Sequence, residues 1–306
     1  MRRIYGCCEL IRPKLLTATG DADIYIGEKE FVSGPGLYLF QVPLTVTRIH
    51  ACCIGGGAQG GANSSDYFDD WKGGGGGGLG WKNNIEVTPG EVIAVQVGCV
   101  VGRNGDGPDG DSWLKRVDSN NDPIGDPLVA GNAPPYGDFY RPGGYIGDGG
   151  GNGGSGCSNS TYSQNGSTYV KNKGSGGGAG GYMGDGGFGV LYGGQNAGNG
   201  GAGSGGVSAN EDRAGSTKGA RGGGTGIKGM GASGASPRPD AVDFWSRAPQ
   251  QPGLPGSGGE GPLFGAGGAG ERDGWDGSDN TRAGHGAVRI IWGNRFSYPD
   301  NADVIE

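Results

Sequence analysis

Large apolar side chains are scarce in this chain. Leu, Ile, Val and Phe together supply 51 of 306 residues, below the ~20% usual for a protein built around a side-chain core. A single α/β or helical enzyme domain of this length is therefore not expected. Histidine occurs only at His50 and His285, 235 positions apart. No apolar run reaches the ~18 residues needed to span a bilayer, and no apolar h-region follows Met1-Arg2-Arg3. The sequence thus predicts synthesis in a cytoplasm without membrane insertion. Charge is modest, with a net of -7. That is too little to hold the chain open as a disordered polyelectrolyte, and its sign argues against nucleic acid as the main partner.

Glycine dominates instead. The chain has 77 glycines and 17 prolines. Long helices are nearly excluded, because each interior Gly costs ~1 kcal/mol relative to Ala. Collagen is excluded by the absence of a strict three-residue repeat and by too little proline.

Period-two segments occupy the first half. Leu37–Pro43, Thr47–Ile54, Asn84–Val87 and Val92–Gly98 read as strands, with turn chemistry at Thr88-Pro89-Gly90-Glu91. Ser112–Leu114 and Pro127–Ala130 are shorter candidates, and Gly286–Trp292 is a strong strand near the end. Short strands bounded by Gly and Pro predict a small β-sandwich. Cys52 and Cys53 read as small strand residues, one on each face.

Between these blocks glycine falls into a period of three. Gly144, Gly147, Gly150, Gly153 and Gly156 form one series; Gly178, Gly181, Gly184 and Gly187 form another. Three residues make one turn of an extended polyproline-type helix, and the first series read as one straight run spans about 37 Å at ~3.1 Å per residue. Such a helix has no internal hydrogen bonds. Glycine edges let neighbouring backbones approach and pair, which satisfies buried N–H and C=O groups. The predicted fold class is all-β: a small β-sandwich with a large inserted slab of packed polyglycine-II-type helices and almost no α-helix. The expected units are an attachment arm or cap at 1–30, the sandwich at 31–130, the slab with its loops at 131–285, and a closing strand with tail at 286–306. The closing strand is expected to pair back into the sandwich.

Chemistry-bearing motifs are few. Gly55-Gly56-Gly57-Ala58-Gln59-Gly60 matches G-x-G-x-x-G after a strand, but no helix-forming sequence follows to carry a phosphate. Asn104, Asp106, Asp109 and Asp111 have calcium-type oxygens without EF-hand spacing; Asx-turns explain them better. No cysteine–histidine spacing fits zinc, so no metal site or cofactor is predicted. Asp240 with Asp243, and Asp273 with Asp276, are the nearest approach to paired glycosidase carboxylates. No catalytic residue is assigned, and the expectation is a non-enzyme.

Low-glycine excursions at Cys157–Lys173, Val207–Arg221, Ala235–Pro252 and Glu271–Ala283 read as loops between glycine runs. Aromatics cluster in or beside such loops: Tyr136, Phe139, Tyr140, Tyr162, Tyr169, Phe244, Trp245 and Trp275. Tyr, Trp and Arg dominate binding hot spots. The candidate binding residues are therefore Arg238, Phe244, Trp245, Arg247 and Trp275, with burial against a neighbouring subunit as the rival role for Phe244 and Trp245.

Three blocks carry a family resemblance. They are Phe40-Gln41-Val42-Pro43 with Val46–Ile49 and Cys53–Gly57, then Lys82–Glu91, then Gly286–Gly293 with Arg295-Phe296. In this order they resemble the glycine-rich domains of phage tail-fibre proteins, which are related to glycine-helix fibre-tip adhesins. The resemblance implies a structural virion protein, a tail fibre or fibre-tip adhesin for host attachment, with a capsid or tail decoration protein as the alternative. It implies other virion proteins as partners, a host-surface glycan or outer-membrane protein as target, and a homo-oligomer such as a trimer. An ice-binding or surface-coating protein built from similar helices is a further alternative, separable by thermal hysteresis. A polysaccharide depolymerase on the same fibre is separable by reducing-end release.

Overall fold

The computed structural model describes residues 26–60, 73–102, 110–135, 140–156, 161–164, 167–170, 176–189, 222–230, 264–267, 283–300 and 302. These contain twelve strands: β1 (Gly27–Phe31), β2 (Gly36–Gln41), β3 (Arg48–Ile54), β4 (Leu79–Glu86), β5 (Val92–Val97), β6 (Ser112–Val117), β7 (Pro123–Gly131), β8 (Tyr145–Ile146), β9 (Gly149–Gly151), β10 (Thr161–Gln164), β11 (Ser167–Val170) and β12 (Ala287–Trp292). No helix occurs among the described residues.

Two antiparallel sheets organise the chain. One has the order β1-β12-β3-β4-β9 and the other β2-β5-β6-β7-β8, while β10 and β11 form a separate hairpin. The closing strand β12 sits between β1 and β3, with Val288 opposite Cys53 and Glu30 opposite Arg289. β1 lies partly in the segment expected to be an attachment arm, so Gly27–Glu30 are strand residues of the first sheet.

Alternation assigns each face of the first sheet. Ile49, Ala51, Cys53, Val288, Ile290 and Trp292 join Phe40, Ile93, Val95, Leu114 and Val129 of the second sheet in one hydrophobic cluster. The opposite face carries Cys52, Ile54, Leu79, Ala287 and Ile291. It is covered by Tyr182, Ile227, Phe264, Tyr298 and Ala302. Cys52 and Cys53 thus occupy opposite faces, as their adjacent positions require.

The glycine segments bond to one another in a three-residue pattern. Gly55 and Ala58 donate to Gly78 and Gly75, while Gly56 between them donates to Gly110 and Gly57 to Gly284. Gly76, Gly77 and Gly78 donate to Gly154, Gly265 and Asn132. Gly177 and Gly180 donate to Gly74 and Gly77, whereas Gly178 donates to Gly187 and Ala179 to Gly223. Donors three apart serve the same neighbour, and those between them serve others. The runs also lie too close for side chains. A Cβ would fall 1.9 Å from Gly76 O at Gly153, 1.9 Å from Gly73 O at Gly156 and 2.0 Å from Gly178 O at Gly76.

Both glycine series differ from the straight runs expected of them. Gly153 and Gly156 donate to Gly143 O and Tyr140 O, so residues 140–146 and 149–156 run antiparallel, with the bend at Gly147–Asp148. Gly178 donates to Gly187 and Gly181 to Gly184, so the second series reverses at Tyr182-Met183. Folding back lets one short run satisfy the next, which a single extended run cannot do for itself. Glycine spacing alone also misjudges tightness. A Cβ at Gly144 meets only Asn152 Oδ1, at 3.7 Å, whereas Gly151 and Gly154, outside the series, are closed by Gly184 O at 2.0 Å and Gly187 O at 1.9 Å. Runs 55–60 and 73–78, assigned from sequence to the sandwich, belong to the same bonded set.

Candidate functional site

The glycine runs have two distinct ends. One continues into the sheets: Gly78 precedes β4, Ile54 of β3 precedes Gly55, and Gly286 precedes β12. At the other end lie Gly73, Tyr140, Gly156, Gly177, Gly189, Gly222 and Gly267. Their mutual closeness follows from the bonds Gly156→Tyr140, Gly177→Gly74, Gly189→Ser155, Gly222→Gly267 and Gly267→Gly177, and from the packing of Gly156 on Gly73 O.

This second end is where the chain repeatedly leaves the runs. The segments 61–72, 136–139, 157–175, 190–221 and 268–282 each start and finish at described residues of this end: Gly60 and Gly73, Pro135 and Tyr140, Gly156 and Gly176, Gly189 and Gly222, Gly267 and Ala283. Within 157–175, β10 and β11 pair so that Tyr162 stands directly opposite Tyr169 in the ladder.

The segment 231–263 is rooted elsewhere. Residues 222–225 run antiparallel to 264–267, with Gly222 on Gly267 and Thr225 on Phe264, so this excursion departs from the sheet end. Its roots pack on the second cluster: Ile227 and Phe264 touch the first sheet, and Met230 N–H donates to Pro299 O at 2.9 Å.

Arg238, Phe244, Trp245 and Arg247 lie in 231–263 and Trp275 in 268–282, all outside the described residues. Asp240, Asp243, Asp273 and Asp276 share those segments. The roots of the two segments are at opposite ends of the runs, so the fold does not gather these candidates through a common root. Two residues that sequence reasoning passed over, Arg141 and Phe188, stand at the described part of the loop-bearing end. Arg141 is exposed beside Tyr140, and its carbonyl packs on Gly75. Phe188 is 59% exposed next to Gly189, which bonds Ser155. The available signal was position: Asp185 and Phe188 are three apart, on the one edge of that run free to carry side chains.

The tempting motifs have structural explanations. Gly55, Gly56, Gly57, Ala58 and Gln59 all commit their N–H groups to protein carbonyls, which leaves no cradle of donors for phosphate. Asp106 and Asp109 lie outside the described residues; Asp111 accepts from Ala133 N–H at 2.7 Å. Among the described residues no group of His, Cys, Asp or Glu has metal-site geometry. His285 Nδ1 lies 2.7 Å from Gly286 O and its ring stands edge-on to Phe264. His50 is buried beside Asn83, and desolvation holds its pKa below 6.5 against the opposing hydrogen bond.

The polar groups under the first sheet form a structural network. Tyr182 OH accepts from Gly229 N–H and donates to Gly226 O, both at 3.2 Å, and its ring stacks on Tyr298 at 5.8 Å. Trp81 Nε1 donates to Tyr182 O, and Asn83 bonds both backbone groups of Tyr298. Burial pushes the Cys52 thiol up to about 12 despite the Tyr182 hydrogen bond and the Arg289 charge, and burial raises the Cys53 thiol as well. These thiols are inert packing groups.

No protein-family model matches the chain, and no curated protein matches it.

Proposed function

We propose that the chain is a structural phage virion protein, a tail fibre or fibre-tip adhesin that attaches particles to a host surface. In this reading the two sheets are a β-sandwich base. The glycine runs are packed polyglycine-II helices that hold recognition loops away from it. The supporting observation is the rooting of five excursions at one end of the runs. A backbone-packed scaffold has few side chains of its own, so specificity falls to its loops. Placing many loops at one end of a rigid support is how a fold concentrates contacts without a side-chain core. The three sequence blocks that resemble phage tail-fibre domains supply the virion context.

Loop position divides the candidates between two roles. Trp275 lies in a segment whose roots are at the loop-bearing end, as are Tyr140, Arg141 and the roots of the segment that holds the Tyr162/Tyr169 hairpin, and it is assigned with them to target contact. Arg238, Phe244, Trp245 and Arg247 belong to the segment rooted at the sheet end and are assigned to contact with a neighbouring virion protein. No reaction and no cofactor are assigned. The target is a host-surface glycan or outer-membrane protein.

The test compares two variants in the particle that carries the chain. Trp275→Ser is expected to leave particles intact and lower host adsorption at least tenfold. Phe244→Ser with Trp245→Ser is expected to yield particles lacking this protein. Normal adsorption by Trp275→Ser particles, or normal incorporation of the double variant, overturns the corresponding assignment. Particles carrying the unmodified sequence in which this chain is nonetheless absent overturn the virion reading itself.

A further inference from the structure

The two sheets have four edge strands, and three are protected against pairing. β1 carries Glu28, Lys29 and Glu30, with both glutamates turned onto Arg289. β9 is three glycines, and β8 is two residues long. Charge, inward-pointing acids and shortness are the usual devices that keep sheet edges from adding a strand. β2 has none of them. It is six residues long, regular over its whole ladder with β5, and lies in a stretch from Phe31 to Thr47 without a charged side chain.

The open side of β2 presents both backbone and apolar groups. Val42 bonds Glu91 on the β5 side. Antiparallel alternation then directs the N–H and C=O groups of Leu37, Leu39 and Gln41 away from β5. Among the described residues no backbone group pairs with them. Leu37 and Leu39 are 52% and 51% exposed on the same face, and Leu44 just beyond Pro43 is 80% exposed. Continuing along that face, Leu37 is opposite Gln96 and Gln96 opposite Trp113.

We propose that β2 pairs with β2 of a second copy of this chain, antiparallel about a two-fold axis at Leu39. That register sets Leu39 against its own counterpart, Leu37 against Gln41 and Tyr38 against Phe40. It uses every outward N–H and C=O of Leu37, Leu39 and Gln41 on both strands. The choice of a second copy follows from charge. A two-fold pairing about Leu39 sets that residue against its own kind and puts Tyr38 and Phe40 diagonal to theirs, so a charge at the axis meets its like, which is destabilising. A charge-free edge is the composition that symmetric pairing requires, and a two-fold contact closes on itself without growing into a fibre.

The experiment is sedimentation of the full chain from about 1 to about 100 µM, a range that brackets ordinary homodimer affinities. Hydrogen exchange over residues 36–41 is followed at both ends of the range. A dimer is expected, with slower exchange of the Leu37, Leu39 and Gln41 amides at the higher concentration. Leu39→Lys places two ammonium groups at the axis and is expected to weaken the dimer at least tenfold. Ile124→Lys, at a half-exposed position on β7 of the same sheet, is expected to leave it unchanged. A monomer throughout, a trimer, or a Leu39→Lys variant that dimerises as tightly as the parent overturns the proposal. Should Leu39→Lys fail to fold, the exchange result on the unmodified chain decides alone. Protection that does not depend on concentration overturns the pairing.

Discussion

Arg289 on β12 and Glu28 on β1 are 261 residues apart in sequence, and the Arg289 Nε lies 2.9 Å from the Glu28 carboxylate. The guanidinium has no exposed surface, while both of its carboxylates, Glu28 and Glu30, keep about a third of theirs. Removing the acids strands a buried cation, whereas removing the cation leaves acids that can reach water. Glu28→Gln with Glu30→Gln is therefore expected to cost about 3–5 kcal/mol. Arg289→Met, which keeps the packing volume, is expected to cost less. Urea unfolding of the three proteins checks the order; a cheaper double acid variant contradicts it.

Cβ clearance sorts the glycines. Gly153→Ala is expected to destabilise the protein by about 1–3 kcal/mol or more, because its methyl must displace the Gly76 carbonyl of a neighbouring run. Gly144→Ala belongs to the same period-three series but meets only Asn152 Oδ1 at 3.7 Å. It is expected to be neutral or slightly stabilising, through the lower entropy of the unfolded chain. Thermal melting of both variants measures the contrast. Gly149→Ala, outside that series, is expected to be costly as well, since its Cβ would lie 2.4 Å from the Trp81 ring.

Truncation after Gly284 is expected to abolish cooperative melting. β12 lies between β1 and β3, and Val288, Ile290 and Trp292 fill one cluster while Ala287 and Ile291 fill the other. Losing it removes two ladders and opens both faces. A truncated chain that keeps its β-type circular dichroism and its melting temperature contradicts this role.

Acid sensitivity is expected at His50. Its folded pKa lies below 6.5 because burial disfavours the imidazolium. As pH falls below about 6.5 the unfolded chain binds the proton first, so stability declines until the folded value is reached. Urea midpoints compared at about pH 7.5 and about pH 5.5 report this slope. His50→Gln is expected to flatten it; an unchanged slope assigns the acid sensitivity to other groups.

Much of the strand architecture is legible in the sequence because alternation is local. The period-two blocks at 37–43, 47–54, 92–98 and 286–292 mark β2, β3, β5 and β12, and the adjacency of Cys52 and Cys53 divides them between two faces. β4 is legible only at its end, since Leu79-Gly80-Trp81 follows directly on the glycine run 73–78 and Asn83-Asn84 interrupts the alternation that Leu79 and Trp81 begin. Glycine spacing likewise announces close backbone approach, as at Gly153 and Gly156. It does not say which backbone approaches. A glycine interface has no side-chain pattern to encode its partner, so the reversals at Gly147–Asp148 and Tyr182-Met183, the open space at Gly144 and the partner of each run were decided by tertiary structure alone. The loop roots were decided the same way. Composition marks 235–252 and 271–283 alike as excursions, but only the antiparallel pairing of 222–225 with 264–267 puts their roots at opposite ends, because a root's position depends on the neighbours its run bonds and not on the loop's own residues.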